Sequence, residues 1–497
     1  MTTTMAFLRR FAALPLLLAA ACLAAPAPEA ASVEERIHRV ENGLLPHHAM
    51  PGQDPFTVHE RLRLYQVPGV SVAVINEGRL EWARAWGEVE AGSGIPVTPE
   101  TLFQAASISK PVMAVGALRL VEDGVLALDE DVNGTLRSWR LPENAHTRSE
   151  KVTLRRLLSH SAGTTVHGFP GYAEGAEVPS IVQVLDGAGP ANTAPVRVDT
   201  VPGSLWRYSG GGSSIVQLMM TDATGLPFPD LMEELVLEPV GLDRSTYAQP
   251  LPPERAHEAA TAHGMDGEAI PGRFHAYPEM AAAGLWTTPS ELAALAVELQ
   301  RAVNGEADRI LSPGMAREMM TVVAGSYGPG FSLEEADDDL WFSHGGANRG
   351  FRAHFTASAS GGRGAVVMTN GDGGGDLTGE ILRAVAREYG WGRMEPVVRE
   401  GVPLDPGARA ELVGSYAFEL PDGSGTVQVE LRERNGALEA RIPRVGWERR
   451  TVWSAAPDTL FFRESGGELV VERDGEGRVT ALEVRGLGSP FRAERRR

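Results

Sequence analysis

The sequence predicts an α+β protein: one sheet with helices packed on it, followed by a separate small all-β domain. Two observations carry this. Strand-period runs stand at both ends of a first region whose middle has helical period, and helical period disappears beyond a proline-rich stretch. Residues 28–60 are expected to hold a leader and a first helix. Residues 70–75 are apolar and β-branched, turn at Asn76-Glu77-Gly78 and continue over 80–86, which predicts a hairpin. Residues 111–121 carry apolar side chains at helical spacing and stop at Asp123-Gly124. Residues 130–280 mix helical segments with Gly/Pro loops, and Pro289-Ser290-Glu291 leads into an amphipathic helix over 292–303. Runs at 351–357 and 364–369, split by Gly361-Gly362, are expected strands, and 377–389 a closing helix. Pro396, Pro403 and Pro406 mark a linker. Beyond it, 426–431 alternates with 438–442 across Asn435-Gly436, and 468–472 with 479–484 across Asp474-Gly475. That pattern is a small sandwich or barrel of roughly 90 residues.

A chain of 497 residues is long for one domain, and 43% hydrophobic residues suffice for large cores. A net charge of −19 argues against nucleic acid, whose phosphates require a basic face. Arg9 and Arg10 precede an apolar run over 11–21 that is too short to span a bilayer, with small residues at Ala24, Ala25 and Ala27. Residues 1–27 are therefore expected to be a signal peptide, and the mature protein periplasmic or secreted. No later stretch predicts a membrane span. Cys22 is the only cysteine, which excludes an intramolecular disulfide. It is also a candidate lipid anchor, but Leu18 stands one place too early for an acylation site, so plain cleavage is favoured. No cluster has metal-ligand spacing (His47-His48 is an isolated pair), so neither metal nor cofactor is implied.

Ser107-Ile108-Ser109-Lys110 carries the chemistry. A serine hydroxyl is a poor nucleophile until a base takes its proton, and a spacing of three puts Lys110 on the same helical face. A helix N-terminus would further stabilise a developing alkoxide. To act as a base, Lys110 must lose its proton near neutrality, which burial can bring about and which arginine resists. Lys110 and Lys151 are the only lysines in a chain that otherwise uses arginine. The tetrapeptide alone does not separate a nucleophile from a helix cap beside a solvated charge.

Further stretches carry a wider likeness. Phe103-Gln104-Ala105-Ala106 precedes Ser107, and residues 154–163 contain Leu157-Leu158-Ser159-His160-Ser161-Ala162-Gly163. Tyr208-Ser209-Gly210, Gly284-Leu285-Trp286-Thr287-Thr288-Pro289 and His344-Gly345-Gly346 follow in order. Over residues 55–390 they resemble the serine β-lactamase-like family, in the branch of class C β-lactamases, D-alanyl-D-alanine carboxypeptidases and related esterases and D-aminopeptidases. The resemblance implies an antiparallel sheet flanked by helices, with a helical subdomain. It implies that Ser107 is acylated, that Lys110 and Tyr208 share the base role, and that the N–H groups of Ser107 and Ala347 form the oxyanion hole. Gly345 and Gly346 would let substrate approach a strand edge that also carries His344. His160 reads as a buried histidine bracing a loop, and Tyr208 alone would suit a core position equally well.

Two departures narrow the substrate. Gly210 replaces the asparagine of Tyr-x-Asn, whose amide helps hold substrate, with Ser209 or Ser213 as candidate compensations. His344 replaces a lysine and removes a permanent charge where a carboxylate would bind, with Arg349 and Arg352 as candidate substitutes. Both point towards an ester, peptide or D-amino-acid amide as substrate. A β-lactamase and a catalytically silent peptidoglycan- or peptide-binding protein are the alternatives. Residues 412–416 and 458–462 resemble the small β-barrel appended to such hydrolases, either shaping the cleft or binding a ligand of its own. The expected division is a hydrolase domain over 33–391, a linker over 392–408 and a barrel over 409–497.

Overall fold

The computed structural model describes residues 1–2, 31–402, 404–419, 426–443, 447–486 and 490–496. Most of the expected signal peptide, with Cys22, lies outside the described residues. Among the described residues no helix is long and apolar enough to cross a membrane.

Helix α1 (Val33–Glu41) opens on a capping box between Ser32 and Glu35. A two-residue strand, β1 (His48–Ala49), follows. The predicted hairpin is β2 (Gly69–Asn76) and β3 (Arg79–Gly87). Glu77 and Gly78 join them with φ of 51° and 69°, the handedness a two-residue hairpin turn requires. β4 (Phe103–Gln104) leads through one 3-10 turn, Ala106–Ile108, into α2 (Ser109–Glu122). In the helical middle, α3 (Gly210–Thr224) is capped by Ser209. β5 (Trp286–Thr287) pairs with β4 and runs into α4 (Pro289–Asn304), which has Pro289 in its first turn. Then come β6 (Ser332–Ala336), β7 (Asp339–Asn348), β8 (Phe351–Ser358), β9 (Gly364–Thr369) and α5 (Gly374–Glu388).

The six long strands form an antiparallel sheet in the order β3-β2-β9-β8-β7-β6. Its strands β2 and β9 are almost wholly apolar and buried because both faces are covered. Val70, Val72 and Val74 of β2 pack with Leu377, Ile381 and Val385 of α5, while Ala73 and Ile75 face the larger core that holds α2 and α4. β6 pairs only with Asp339–Ser343, so β7 runs free of it from His344 to Asn348.

The proline-marked stretch is tied down. Trp391 is fully buried, and β10 (Val397–Val398) pairs in parallel with β1. Eight antiparallel strands then close a barrel: β11 (Gly414–Glu419), β12 (Thr426–Arg434), β13 (Ala437–Ile442), β14 (Trp447–Ala456), β15 (Thr459–Phe462), β16 (Glu468–Arg473), β17 (Val479–Arg485) and β18 (Phe491–Arg495). Leu431, Leu460, Phe462, Leu469 and Leu482 fill its interior as a packed core. That filling favours a barrel that shapes its surroundings over one that holds a ligand inside.

Candidate active site

Ser107 sits in the 3-10 turn between β4 and α2, one residue after Ala106, whose φ is +52°. A left-handed conformation at a residue with a Cβ costs roughly 1–2 kcal/mol and is held by its surroundings. Ser109 supplies part of that hold, donating from its hydroxyl to Ala106 O (2.5 Å) and accepting the Leu285 N–H (3.0 Å). His160 (φ +57°) and Val166 (φ +62°) are also left-handed and lie on the loop beside Tyr208.

Lys110 is buried in the first turn of α2, with Nζ 2.9 Å from Ser107 Oγ and donating to Ala282 O at 2.7 Å. It lies 4.9 Å from the centre of the Tyr208 ring. Burial lowers its ammonium to about 7. The Tyr208 hydroxyl hydrogen-bonds Ser107, yet burial still pushes it well above the usual tyrosine range. Tyr208, distant in sequence, therefore meets Ser107 and Lys110 at one point.

His344 stands at the start of the free edge of β7, with its ring 6.0 Å from that of Tyr208. Its Nδ1 lies 2.6 Å from Gly345 O and must carry the proton there, because a carbonyl only accepts. Nε2 is buried and has no hydrogen-bond partner among the described residues. Burial, with the Lys110 charge second, lowers the imidazole to about 3, so the ring is neutral at ordinary pH and supplies no cation. His160 accepts the Ser209 N–H on Nδ1 at 3.2 Å and packs on Tyr208 at 4.3 Å.

The free edge faces the nucleophile. A Cβ on Gly346 would lie 2.3 Å from Ala105 O, whereas one on Gly345 would meet nothing closer than 3.9 Å. Gly345 and Ala347 are exposed, and Gly346 is buried. The edge is anchored by Asn348, which donates to Gln104 Oε1 (2.7 Å) and to Ala283 O (3.0 Å). Asn348 follows the glycine motif directly and was open to detection on that ground; Gln104 lies in the stretch already marked before Ser107, but its bond to Asn348 left no mark in the sequence.

Gly210 is the first residue of α3, and its N–H donates to His167 O at 3.0 Å. A Cβ there would lie 2.9 Å from the Phe169 ring, so an aromatic ring covers the place of the missing amide. Ser209 is spent as the helix cap, its hydroxyl taking the Gly212 N–H (2.9 Å) and donating to Thr165 O (2.7 Å), and does not replace that amide. Arg352 is partly engaged: its Nη1 lies within 2.7 Å of Asn348 O, 2.8 Å of Phe351 O and 2.9 Å of Asp372. Tyr327, unremarkable in sequence, packs its ring 5.1 Å from His160 and 6.2 Å from His344. Among the described residues no group of side chains is arranged to hold a metal ion.

This arrangement sets a serine hydroxyl against a buried lysine under a strand edge, a geometry in which a base can activate a nucleophile. The Beta-lactamase family profile matches residues 57–388, and the chain belongs to that family of serine hydrolases. Its relatives include penicillin-binding protein 4 of Amycolatopsis lactamdurans, 26% identical and covering 71% of this chain and 94% of the relative. Esterase EstB of Burkholderia gladioli is 27% identical over 55% of this chain and 76% of its own length. A D-aminopeptidase of Gluconobacter oxydans is 26% identical over 84% of this chain and 76% of its own. Among solved structures, the octameric penicillin-binding protein homologue from Pyrococcus abyssi superposes with a TM-score of 0.58 at 18% identity, covering 88% of this chain and 98% of that one. These structures share the fold.

Proposed function

We propose that Ser107 attacks the carbonyl of an ester, peptide or D-amino-acid amide and is acylated, with Lys110 as the base. The observation that carries this is the 2.9 Å approach of Ser107 Oγ to a lysine that burial brings to about 7. Neutral Nζ takes the hydroxyl proton as Oγ bonds to carbon. The N–H groups of Ser107 and Ala347 stabilise the oxyanion, and collapse expels the leaving group, which takes a proton from Lys110 through the Tyr208 hydroxyl. Tyr208 acts as a relay, since burial disfavours its phenolate. Water then repeats the sequence on the acyl-enzyme. A neutral His344 and the ring over Gly210 both disfavour β-lactam turnover. The joined Ser107, Lys110 and Tyr208 argue against a silent binding protein. Pro443 of the barrel lines the cleft that adjoins Ala347, which supports a barrel shaping the substrate site. The signal peptide is part of the same reading: the mature protein is exported, with cleavage near residue 27.

The test is labelling of the folded full-length protein with a fluorophosphonate, followed by peptide mass spectrometry. An adduct on Ser107, absent in Ser107→Ala, is the expected result; a folded protein that never labels there refutes the reading. Nitrophenyl esters, nitrocefin and D-alanyl amides then rank the substrate classes.

A further inference from the structure

Beyond Ala347 the free edge of β7 opens into a cleft of about 780 Å³ walled by Phe169, Tyr277 and Met265, with Arg349 and Asp372 along it. The leaving group must be served by Lys110 and Tyr208, and Tyr208 stands at the His344 end of this edge. The acyl part therefore extends the other way, past Ala347 towards Arg349.

Arg349 and Gly350 form the turn between β7 and β8. The turn is held by the Arg349 N–H on the Tyr277 hydroxyl (3.0 Å) and by the Gly350 N–H on Asp372 (2.8 Å). Asp372 also takes Arg352 (2.9 Å) and Arg349 Nη1 (3.1 Å), so its two oxygens serve three donors. Each arginine gives only Nη1 to this cluster, but Arg352 is half as exposed, at 25%, and also holds two backbone carbonyls, which leaves Arg349 the freer of the two. Its side chain is 53% exposed, and beyond Nη1 it has no partner among the described residues. Asp266 lines the same cleft, its Oδ1 occupied by the Glu268 N–H (3.2 Å), so the cleft holds two arginines and two aspartates. An anion must then be recognised locally, by the directed donors of one guanidinium, not by a general positive field.

Resting on the acyl-enzyme reading, we propose that this cleft receives acyl groups ending in a carboxylate, which Arg349 holds. Two residues of extended strand separate Ala347 from Arg349 by about 6–7 Å, a span that a six-carbon dicarboxylic acyl chain matches.

The experiment compares kcat/KM for 4-nitrophenyl hydrogen adipate and 4-nitrophenyl hexanoate. The wild type is expected to favour the adipate by about 10- to 100-fold, the value of a hydrogen bond to a charged group. Arg349→Gln should bring that ratio towards one, and Arg349→Lys should restore part of it. A wild-type ratio near one, or a ratio indifferent to Arg349→Gln, overturns the proposal. Should neither ester turn over, the hydrolase reading is what has failed. Calorimetry on the full-length Ser107→Ala protein then decides the subsite: adipate binding more tightly than hexanoate, with the difference lost in Ser107→Ala/Arg349→Gln, supports it, and equal binding overturns it.

Discussion

Lys110 shows how one position acquires a chemical role from its surroundings. Buried against Ala282 O and the Tyr208 ring, its ammonium is lowered to about 7, a state open to lysine and closed to arginine. The base is the neutral form, so its fraction grows as pH rises through that value. We expect kcat/KM for a neutral ester to fall about tenfold per pH unit below about 7 and to level off above, a profile that initial rates from pH 5 to 9 would read. A flat profile over that range contradicts Lys110 as base. Lys110→Arg should lose about 10²–10⁴-fold in kcat at every pH, measured on the same ester. The two glycines differ sharply in the same way. Gly346→Ala puts a methyl 2.3 Å from the Ala105 carbonyl and should cut kcat by at least about tenfold with a lower Tm. Gly345→Ala has room and should leave Tm unchanged.

At the scale of elements, the proposed chemistry depends on where β6 stops. Because it pairs only with Asp339–Ser343, the last five residues of β7 present an open edge to the turn that carries Ser107. Asn348 ties that edge to Gln104 and to Ala283, the residue after the acceptor of Lys110. Asn348→Ala strands two buried acceptors, at about 1–3 kcal/mol each, and loosens the gap between the two N–H donors. The expected result is a fall in kcat with KM little changed, together with a lower urea midpoint; an unchanged kcat in a folded variant would show the tie to be structural only. The hairpins β2–β3 and β12–β13 and the helices α2, α4 and α5 were legible because period or turn chemistry marked them, as Glu77-Gly78 and Asn435-Gly436 show with their positive φ, whereas α3 and β14 were not singled out. β6 was not legible, since Ser332–Ala336 is short and half exposed. Nor was the Asn348–Gln104 bond, which joins residues far apart in sequence.

At the scale of the molecule, the barrel has its own filled core, distinct from the two that sandwich the six-stranded sheet. Separate cores predict separate unfolding. Leu482→Ala, at a fully buried barrel position, should cost about 2–4 kcal/mol and lower one calorimetric transition while leaving the other in place. One transition shifting as a whole would mean that the β1–β10 pairing and the Arg450–Asp376 ion pair bind the two parts into one cooperative unit.

The sequence by itself determined the α+β class and the all-β C-terminal part, and it marked Ser107 and Lys110 as the candidate reacting pair. Those follow from local period, from turn residues and from a lysine in a chain that avoids lysine. Only the tertiary structure decided how Ser107 and Lys110 meet Tyr208, that Phe169 covers Gly210, and that Arg349 faces an open cleft. These depend on contacts between residues dozens to hundreds of positions apart, which sequence pattern does not encode and packing does.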